Sequence, residues 1–115
     1  MSISARVRQL VYERDGNACV ACGVAHGLTI QHRKNRGMGG SKLLDSPANL
    51  VTMCAVENML LESNADFADR GRRNGWKLWS YLDPLRCPVL YPDGLFGLDD
   101  SGGRYPWVGE VPVMF

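Results

Sequence analysis

The sequence lacks a long apolar run, an internal repeat and a low-complexity stretch. No segment approaches the roughly 18 consecutive apolar residues that cross a bilayer, so the sequence excludes a transmembrane helix and predicts no membrane partner. Residues 1–6 also lack the apolar core of a secretion signal, which predicts that the protein stays in the cytoplasm. With 45% hydrophobic and 22% charged residues among 115, the composition is that of one globular domain and excludes wholesale disorder.

The sequence has almost no net charge, but the charge is unevenly distributed. Residues 1–42 carry seven Lys/Arg against two Asp/Glu, whereas residues 81–115 carry two against five. Residues 43–80 are nearly balanced, with four against five. A polyanion is therefore expected to bind the basic N-terminal third, and the acidic C-terminal third resembles an accessory segment.

Cysteines are also few, namely Cys19, Cys22, Cys54 and Cys87. In a secreted protein they could form two disulfides, but nothing in the sequence indicates secretion. In a reducing cytoplasm a C-x-x-C pair is more often a metal knuckle or a redox pair than a structural disulfide. We therefore interpret Cys19 and Cys22 as a metal-binding turn.

Apolar periodicity predicts an N-terminal helix followed by a strand, a loop, a second strand and a helix. Ser4 is placed to cap the first helix, whose apolar positions repeat at helical spacing. Residues 28–32 and 49–53 predict two short strands. We expect the first strand to form a hairpin with the cysteine-containing turn at 19–23. Helical spacing then returns over residues 56–60.

A basic, glycine-rich loop occupies residues 33–47. Glycine amides can approach a phosphate backbone closely, and cations around them would hold a DNA duplex without reading its sequence. The alternative is a mobile, solvated loop. The candidate DNA contacts are Arg33, Lys34, Arg36 and Lys42. Further on, Arg70, Arg72 and Arg73 either extend this basic track or simply end a helix, where cations suit the dipole.

His32 is the residue best suited to proton transfer. It stands at the end of the first predicted strand, immediately before the basic loop. Imidazole takes up a proton near neutral pH, so a histidine held beside a metal-bound phosphate can act as a general base. The alternative is a half-buried strand residue with no catalytic role. The other histidine, His26, is expected to be only a loop residue.

The order of several spaced motifs resembles the HNH endonuclease family, with its ββα-metal fold, and in particular its small phage and actinobacterial members. The matching segments lie within about residues 5–64 and are Cys19-Val20-Ala21-Cys22, Ile30-Gln31-His32-Arg33, Gly37-Met38-Gly39-Gly40-Ser41, Pro47-Ala48-Asn49-Leu50-Val51 and Cys54. The resemblance implies an α+β fold with an N-terminal helix and a small ββα-metal core. We expect the nuclease core at residues 1–70 and an accessory extension of short strands and turns, packed on the core, at residues 71–115.

The resemblance implies a hydrolase that cuts the phosphodiester bonds of DNA with a divalent metal ion, either Mg²⁺, Mn²⁺ or Zn²⁺. His32 matches the general base, and Asn49 matches the asparagine that holds the loop and orients the base. Gln31 and Asn58 match two ligands of the catalytic metal ion. Gln31 departs from the family, which generally has Asp or His there. The pair brings no anionic ligand, so the ion would depend on DNA phosphate and water.

Zinc-stapled members of the family bind one structural zinc ion with two C-x-x-C knuckles. In this sequence the closing position of the second knuckle is a glutamate, and zinc accepts three thiolates and a carboxylate. The predicted structural ligands are therefore Cys19, Cys22, Cys54 and Glu57. Two alternatives stay open: Cys87 or His26 completes the shell, or the fold contains no zinc and the thiols pack as small apolar groups.

The C-terminal extension is rich in aromatic residues, namely Trp76, Trp79, Tyr81 and Trp107. Aromatic residues of a small domain usually fill its core, and otherwise they would stack on DNA bases or on a partner. Two other functions stand beside the nuclease. One is a catalytically degenerate DNA-binding protein. The other is an interaction module whose aromatic, acidic tail binds a phage or host protein, in the host cytoplasm if the chain is phage-encoded.

Overall fold

The computed structural model describes residues 3–35 and 42–115. In these residues the chain is a compact α+β protein with three α-helices and two small antiparallel sheets. The helices are α1 (Ala5–Arg14), α2 (Ala55–Ser63) and α3 (Ala65–Arg73). The strands are β1 (Leu28–His32), β2 (Leu50–Cys54), β3 (Val89–Tyr91), β4 (Gly94–Leu98) and β5 (Arg104–Pro106), and short 3₁₀ turns cover Lys42–Asp45, Pro47–Asn49 and Pro84–Arg86. None of the described helices has the length and apolar character needed to span a membrane.

Helix α1 begins and ends close to where the sequence predicted. The Ser4 hydroxyl oxygen accepts a hydrogen bond from the Val7 main-chain N–H at 3.2 Å, which satisfies one of the free donors of the first turn. The chain leaves the helix at Asp15, and Gly16 then adopts a φ of +70°. Glycine reaches this left-handed conformation without strain, so the Asp15-Gly16 pair ends the helix.

A buried ion pair ties the end of α1 to β2. Arg14 Nε lies 2.8 Å from Asp15 Oδ1, and both side chains are almost fully buried. Arg14 also donates to the main-chain carbonyl of Leu50 at 2.6 Å, while Asp15 accepts from the N–H of Thr52 at 2.8 Å. The Tyr91 hydroxyl donates to the same carboxylate from the second sheet. These bonds satisfy charges that would otherwise be costly to bury.

Strands β1 and β2 pair antiparallel, with Gln31 opposite Val51, and β2 leads directly into α2. This confirms the predicted order of strand, loop, strand and helix. The predicted hairpin between β1 and the turn at 19–23 is wrong, because β1 pairs with β2 instead. The turn joins the other side of β2, where the Val20 N–H donates to the Thr52 carbonyl at 2.9 Å.

The C-terminal residues form the second sheet, in which β4 lies between β3 and β5. Short strands separated by turns were predicted for this part of the chain. The apolar pair Trp107-Val108 differs from that prediction, because it follows β5 rather than forming a strand. Helix α3 reaches this sheet from α2, and the two helices approach closely at Gly71, where a Cβ would overlap the Leu61 side chain.

The larger of the two described core clusters joins residues from both sides of the expected boundary at 70/71. Side chains from the β1–β2–α2 unit, such as Val51 and Leu61, pack with Trp76 and Val89 from the C-terminal part. Trp76 is therefore a core residue, whereas Tyr81 is exposed. The other members of the cluster are Cys19, Val20, Ala48, Met53, Cys54, Tyr91 and Leu98.

Candidate functional site

Three cysteines and one glutamate converge beside the start of α2. Cys19 and Cys22 come from the turn between α1 and β1, Cys54 ends β2, and Glu57 lies in the first turn of α2. Cys22 Sγ is 4.0 Å from Cys54 Sγ. Glu57 Oε1 is 4.0 Å from Cys19 Sγ and 3.9 Å from Cys54 Sγ. All four ligand atoms lie within 4.8 Å of one another.

The spacing of these atoms fits a tetrahedral metal ion. Zinc–sulfur bonds of about 2.3 Å place two sulfurs of a tetrahedral site about 3.8 Å apart. The two sulfurs of Cys22 and Cys54 are separated by 4.0 Å, so only a small contraction would complete such a site. The four predicted residues therefore lie close enough to hold a metal ion.

Neither of the alternative ligands belongs to this group. Cys87 belongs to the smaller core cluster, where it packs with Leu78 and Met114. His26 is exposed on the turn before β1 and is not among the four clustered residues. Glu57 is thus the residue that closes the described group, in agreement with the first of the predicted ligand sets.

The crowding of these donors has an electrostatic consequence. Desolvation of the thiol, followed by its hydrogen bond with Glu57, raises the pKa of Cys22 to about 12, although part of the residue reaches the surface. Without a cation the protonated thiol is therefore strongly favoured. A divalent ion reverses that preference, because it stabilises thiolates and displaces their protons.

His32 ends β1, and a carboxylate orients its ring. Nε2 lies 2.8 Å from Asp45 Oδ1, and the two side chains are 23% and 15% exposed. Nε2 is the donor to a carboxylate in this contact, and in the neutral imidazole Nδ1 then has the free lone pair. The sequence did not predict Asp45, because nothing marks which residue of a long loop returns to the end of the strand.

Asn49 is fully buried and joins the two ends of the loop between β1 and β2. Its Oδ1 accepts from the Lys34 N–H at 2.8 Å, and its Nδ2 donates to the carbonyls of Lys34 at 3.1 Å and Leu44 at 2.8 Å. The Asn49 carbonyl also accepts from the Arg33 N–H at 2.7 Å. These contacts fit the loop-holding role that the resemblance implies.

The side chain of Asn58 contacts the face of β1 on which Gln31 lies, but the two side chains have different hydrogen-bond partners. Gln31 is buried, and its Nε2 donates to the Trp76 carbonyl at 3.5 Å. Asn58 Nδ2 donates to Thr29 Oγ1 at 2.8 Å. Thr29 and Gln31 are two residues apart on a strand, so their side chains share a face. The two amides share no hydrogen-bond partner among the described residues, and their role as metal ligands stays a prediction.

The structure corrects the expected role of Arg33. Its side chain is fully buried, so it contacts the protein interior rather than DNA. Its three nitrogens donate to four main-chain carbonyls at 2.6–3.0 Å, those of Ala48, Gly75, Pro84 and Cys87. Lys34 is half-buried. Arg36, the glycine run at 37–41 and the side chain of Lys42 lie outside the described residues.

No family model, curated protein or solved structure matches this chain. The fold and the site therefore define only a structural class of protein. The chain is an α+β protein with a group of cysteine and glutamate side chains that can hold a metal ion. A histidine–carboxylate pair lies at the end of its first strand.

Proposed function

We propose that the protein is a metal-dependent DNA endonuclease or nickase with His32 as its general base. The observation that carries the proposal is the contact between His32 and Asp45 at the end of β1, beside the buried Asn49. An oriented, partly exposed imidazole is suited to take a proton from an attacking water molecule. The motif order of the sequence supports the same chemistry.

In the proposed reaction His32 Nδ1 takes a proton from a water molecule, whose oxygen attacks the scissile phosphorus. The bond from phosphorus to the 3′-oxygen breaks, and the leaving oxygen takes a proton from solvent water, which gives a 5′-phosphate and a 3′-hydroxyl group. The imidazolium then returns its proton to solvent. Asp45 holds the imidazole in the required tautomer and stabilises the imidazolium that forms. His32 and Gln31 are adjacent residues of β1 and face opposite sides of the strand, so the phosphate would have to lie at the strand end to contact both.

Gln31 and Asn58 would hold the catalytic ion. Both side chains use their amide nitrogen in the hydrogen bonds described above, so their amide oxygens, the atoms that a hard cation prefers, are not engaged there. When bound, a divalent ion polarises the phosphoryl oxygen and neutralises charge on the leaving 3′-oxygen. Both ligands are neutral, so we expect the ion to bind mainly together with DNA.

We propose that the second, structural ion is zinc, bound by the cysteine–glutamate group. Its four ligands come from the turn before β1, the end of β2 and the first turn of α2. An ion there would join the turn before β1 to the junction between β2 and α2. Its ligands differ from the proposed ligands of the catalytic ion, so it would stabilise the fold rather than take part in the reaction.

A plasmid-nicking assay with added Mg²⁺, Mn²⁺ or Zn²⁺ tests the proposal. Wild type should relax supercoiled plasmid, and His32→Ala should lose about 10²–10⁴-fold in rate because the general base is gone. His26→Ala is the matched control, since it removes an exposed imidazole and should leave the rate unchanged. Wild type without metal-dependent nicking, or His32→Ala with the wild-type rate, would contradict the proposal.

The burial of Gln31 favours a second candidate, a DNA-binding protein that does not cut. Its amide is neutral and donates to the Trp76 carbonyl instead of facing a cation. Salt-sensitive DNA binding without nicking in any of the three metals would support this candidate. If the nuclease proposal is right, Gln31→Asp should raise both metal affinity and nicking rate, because a carboxylate brings charge to the ion. An unchanged rate would argue that this side chain never reaches the ion.

A further inference from the structure

The last turn of α3 carries three arginines, Arg70, Arg72 and Arg73. The one ion pair they make within residues 3–35 and 42–115 is a long one, in which Arg73 Nη2 lies 3.8 Å from Asp69 Oδ2 and both side chains are exposed. Arg70 and Arg72 have no carboxylate partner in the same ranges. This helix end therefore presents a local excess of positive charge on a chain whose net charge is only +1.

Two exposed aromatic rings contact two of these three guanidinium groups. Arg72 Cζ lies 3.8 Å from the ring centroid of Trp79, and Arg73 Cζ lies 4.2 Å from that of Phe115. The two aromatic residues are 40% and 57% exposed. A ring orients a planar guanidinium and leaves its terminal N–H groups free to bind an anion. We call Arg70, Arg72, Arg73, Trp79 and Phe115 the α3 patch.

The α3 patch is connected to the end of β1 that carries His32. After α3 the chain runs alongside that strand end, where the Trp76 carbonyl accepts from Gln31 and the Leu78 N–H donates to the Arg33 carbonyl at 2.6 Å. Trp79 is the next residue after Leu78, and Arg33 is the next residue after His32. Trp79 thus follows a residue that is hydrogen-bonded to the end of β1, which links the Arg72–Trp79 pair to that end of the strand.

We propose that the α3 patch binds the sugar–phosphate backbone of DNA next to the phosphate that faces His32. The inference rests on the proposed nuclease function and adds where the DNA strand is held. Guanidinium groups bind phosphate through two parallel hydrogen bonds, which positions a strand without reading its sequence. Arg72 Nε is buried without a hydrogen-bond partner among the described residues, so the terminal nitrogens of Arg72 would make this contact.

Fluorescence anisotropy with a labelled DNA duplex of mixed sequence and about 20 base pairs, without added divalent ions, measures the contact. The double variant Arg72→Gln/Arg73→Gln should bind about tenfold or more weakly at about 50 mM salt. The slope of log affinity against log salt should fall by about 0.9 for each phosphate that the variant no longer neutralises. The control Arg86→Gln removes one charge from an exposed position in the acidic C-terminal third, outside the patch, and should keep the wild-type slope.

The single variant Arg73→Gln separates a loss of DNA binding from a folding defect, because this side chain is 54% exposed. It should lower the slope by about 0.9 without changing the thermal midpoint. Equal affinity and slope in the patch variants and the control would overturn the inference, as would a wild type that binds no DNA.

The two proposals fail differently. If wild type binds DNA through Arg72 and Arg73 but does not nick plasmid, the proposed DNA contact is supported and the nuclease proposal is contradicted. If wild type nicks plasmid and the double variant binds and nicks equally well, the nuclease proposal is supported and the proposed DNA contact is contradicted.

Discussion

Arg33 illustrates how much one side chain can connect. It follows His32 in the sequence, yet it is fully buried and bonded to main-chain carbonyls of residues 48, 75, 84 and 87. Burial lowers the pKa of Arg33 to about 10, so the guanidinium still carries its charge at neutral pH. The end of β1 and the C-terminal part of the chain are thereby held together by a single cation.

Replacing Arg33 with methionine should destabilise the protein strongly. The apolar side chain has a comparable length, but it leaves four carbonyls without their donors, three of them in buried residues. Each buried group left unsatisfied costs about 1–3 kcal/mol, so the free energy of unfolding should fall by about 3 kcal/mol or more. Urea denaturation measures the loss. Arg86→Met is the matched control, because that side chain is 86% exposed; equal stability of the two variants would contradict the structural role.

Tyr91 gives a pH-dependent prediction. Its buried hydroxyl donates to Asp15, and burial, followed by the charge of Asp15, raises the pKa of Tyr91 above its ordinary value. The contribution of a group with a raised folded pKa is fully present below its unfolded pKa, about 10 for tyrosine, and is lost as the pH rises beyond it. Tyr91→Phe removes this dependence together with a hydrogen bond worth about 1.5–3 kcal/mol.

The difference in unfolding free energy between wild type and Tyr91→Phe should therefore shrink from about pH 8 to about pH 11. Urea denaturation at the two pH values measures it. Other groups that ionise in this range are present in both proteins and largely cancel in the difference. A difference that stays constant or grows would show that Tyr91 is not buried as a neutral phenol.

The residues predicted from spacing and those missed differ in the range of their contacts. The turn of Cys19 and Cys22 could be predicted from its C-x-x-C spacing, and the family resemblance added Cys54 and Glu57 to the ligand group. Asp45 and the burial of Arg33 could not be predicted. Their partners are set by how a loop returns and by carbonyls 15–54 residues away, and no local pattern encodes such distances.

At the scale of elements, the order of the chain was predictable and the pairing was not. Helix α1, strands β1 and β2 and helix α2 follow from capping, β-branched content and helical spacing. The partner of β1 was predicted wrongly, because both the cysteine turn and β2 are close enough in sequence to pair with it. The side of β2 that binds each neighbour depends on tertiary packing.

Removal of the zinc ligands tests whether a metal ion joins these elements. Purified wild type should contain about one zinc ion per chain. Cys54→Ser should lose the ion and Glu57→Gln should weaken its binding, because each removes a ligand of the group. A chelator should lower the thermal midpoint of wild type, since binding to the folded state alone stabilises it.

Elemental analysis and thermal unfolding of the same samples measure both effects. Cys87→Ser is the control, because Cys87 lies in the smaller core cluster and should leave the zinc content unchanged. A Cys87→Ser protein that loses zinc, or a Cys54→Ser protein that keeps it, would refute the assigned ligand set.

At the scale of the whole molecule, residues 71–115 complete the core rather than only covering it. Trp76, Val89 and Leu98 pack in the same cluster as Val51 and Leu61. A fragment of residues 1–75 would expose most of that interface. We therefore expect the fragment to lack a cooperative thermal transition and dispersed amide NMR signals, whereas the full chain has both. A cooperatively folding fragment would show that the β1–β2–α2 unit is independently stable.

The expected division at residue 70 followed the extent of the family resemblance, which covers about residues 5–64 and does not indicate which apolar residues of the tail share the core. The hydrogen bond from the Trp76 indole N–H to the Leu90 carbonyl, at 2.8 Å, links the segment after α3 to the second sheet. The fully buried guanidinium of Arg33 makes a similar link to the first sheet. Such contacts arise from the packing of distant segments, which periodicity within a short window does not reveal.

The rate of metal-dependent plasmid nicking by wild type and by His32→Ala, measured on the same preparation with its zinc content verified, tests the central claim most directly. The account predicts that wild type nicks, that His32→Ala is about 10²–10⁴-fold slower, and that Asp45→Asn lies between them because the ring loses its orienting carboxylate. Equal rates in all three folded proteins would contradict it.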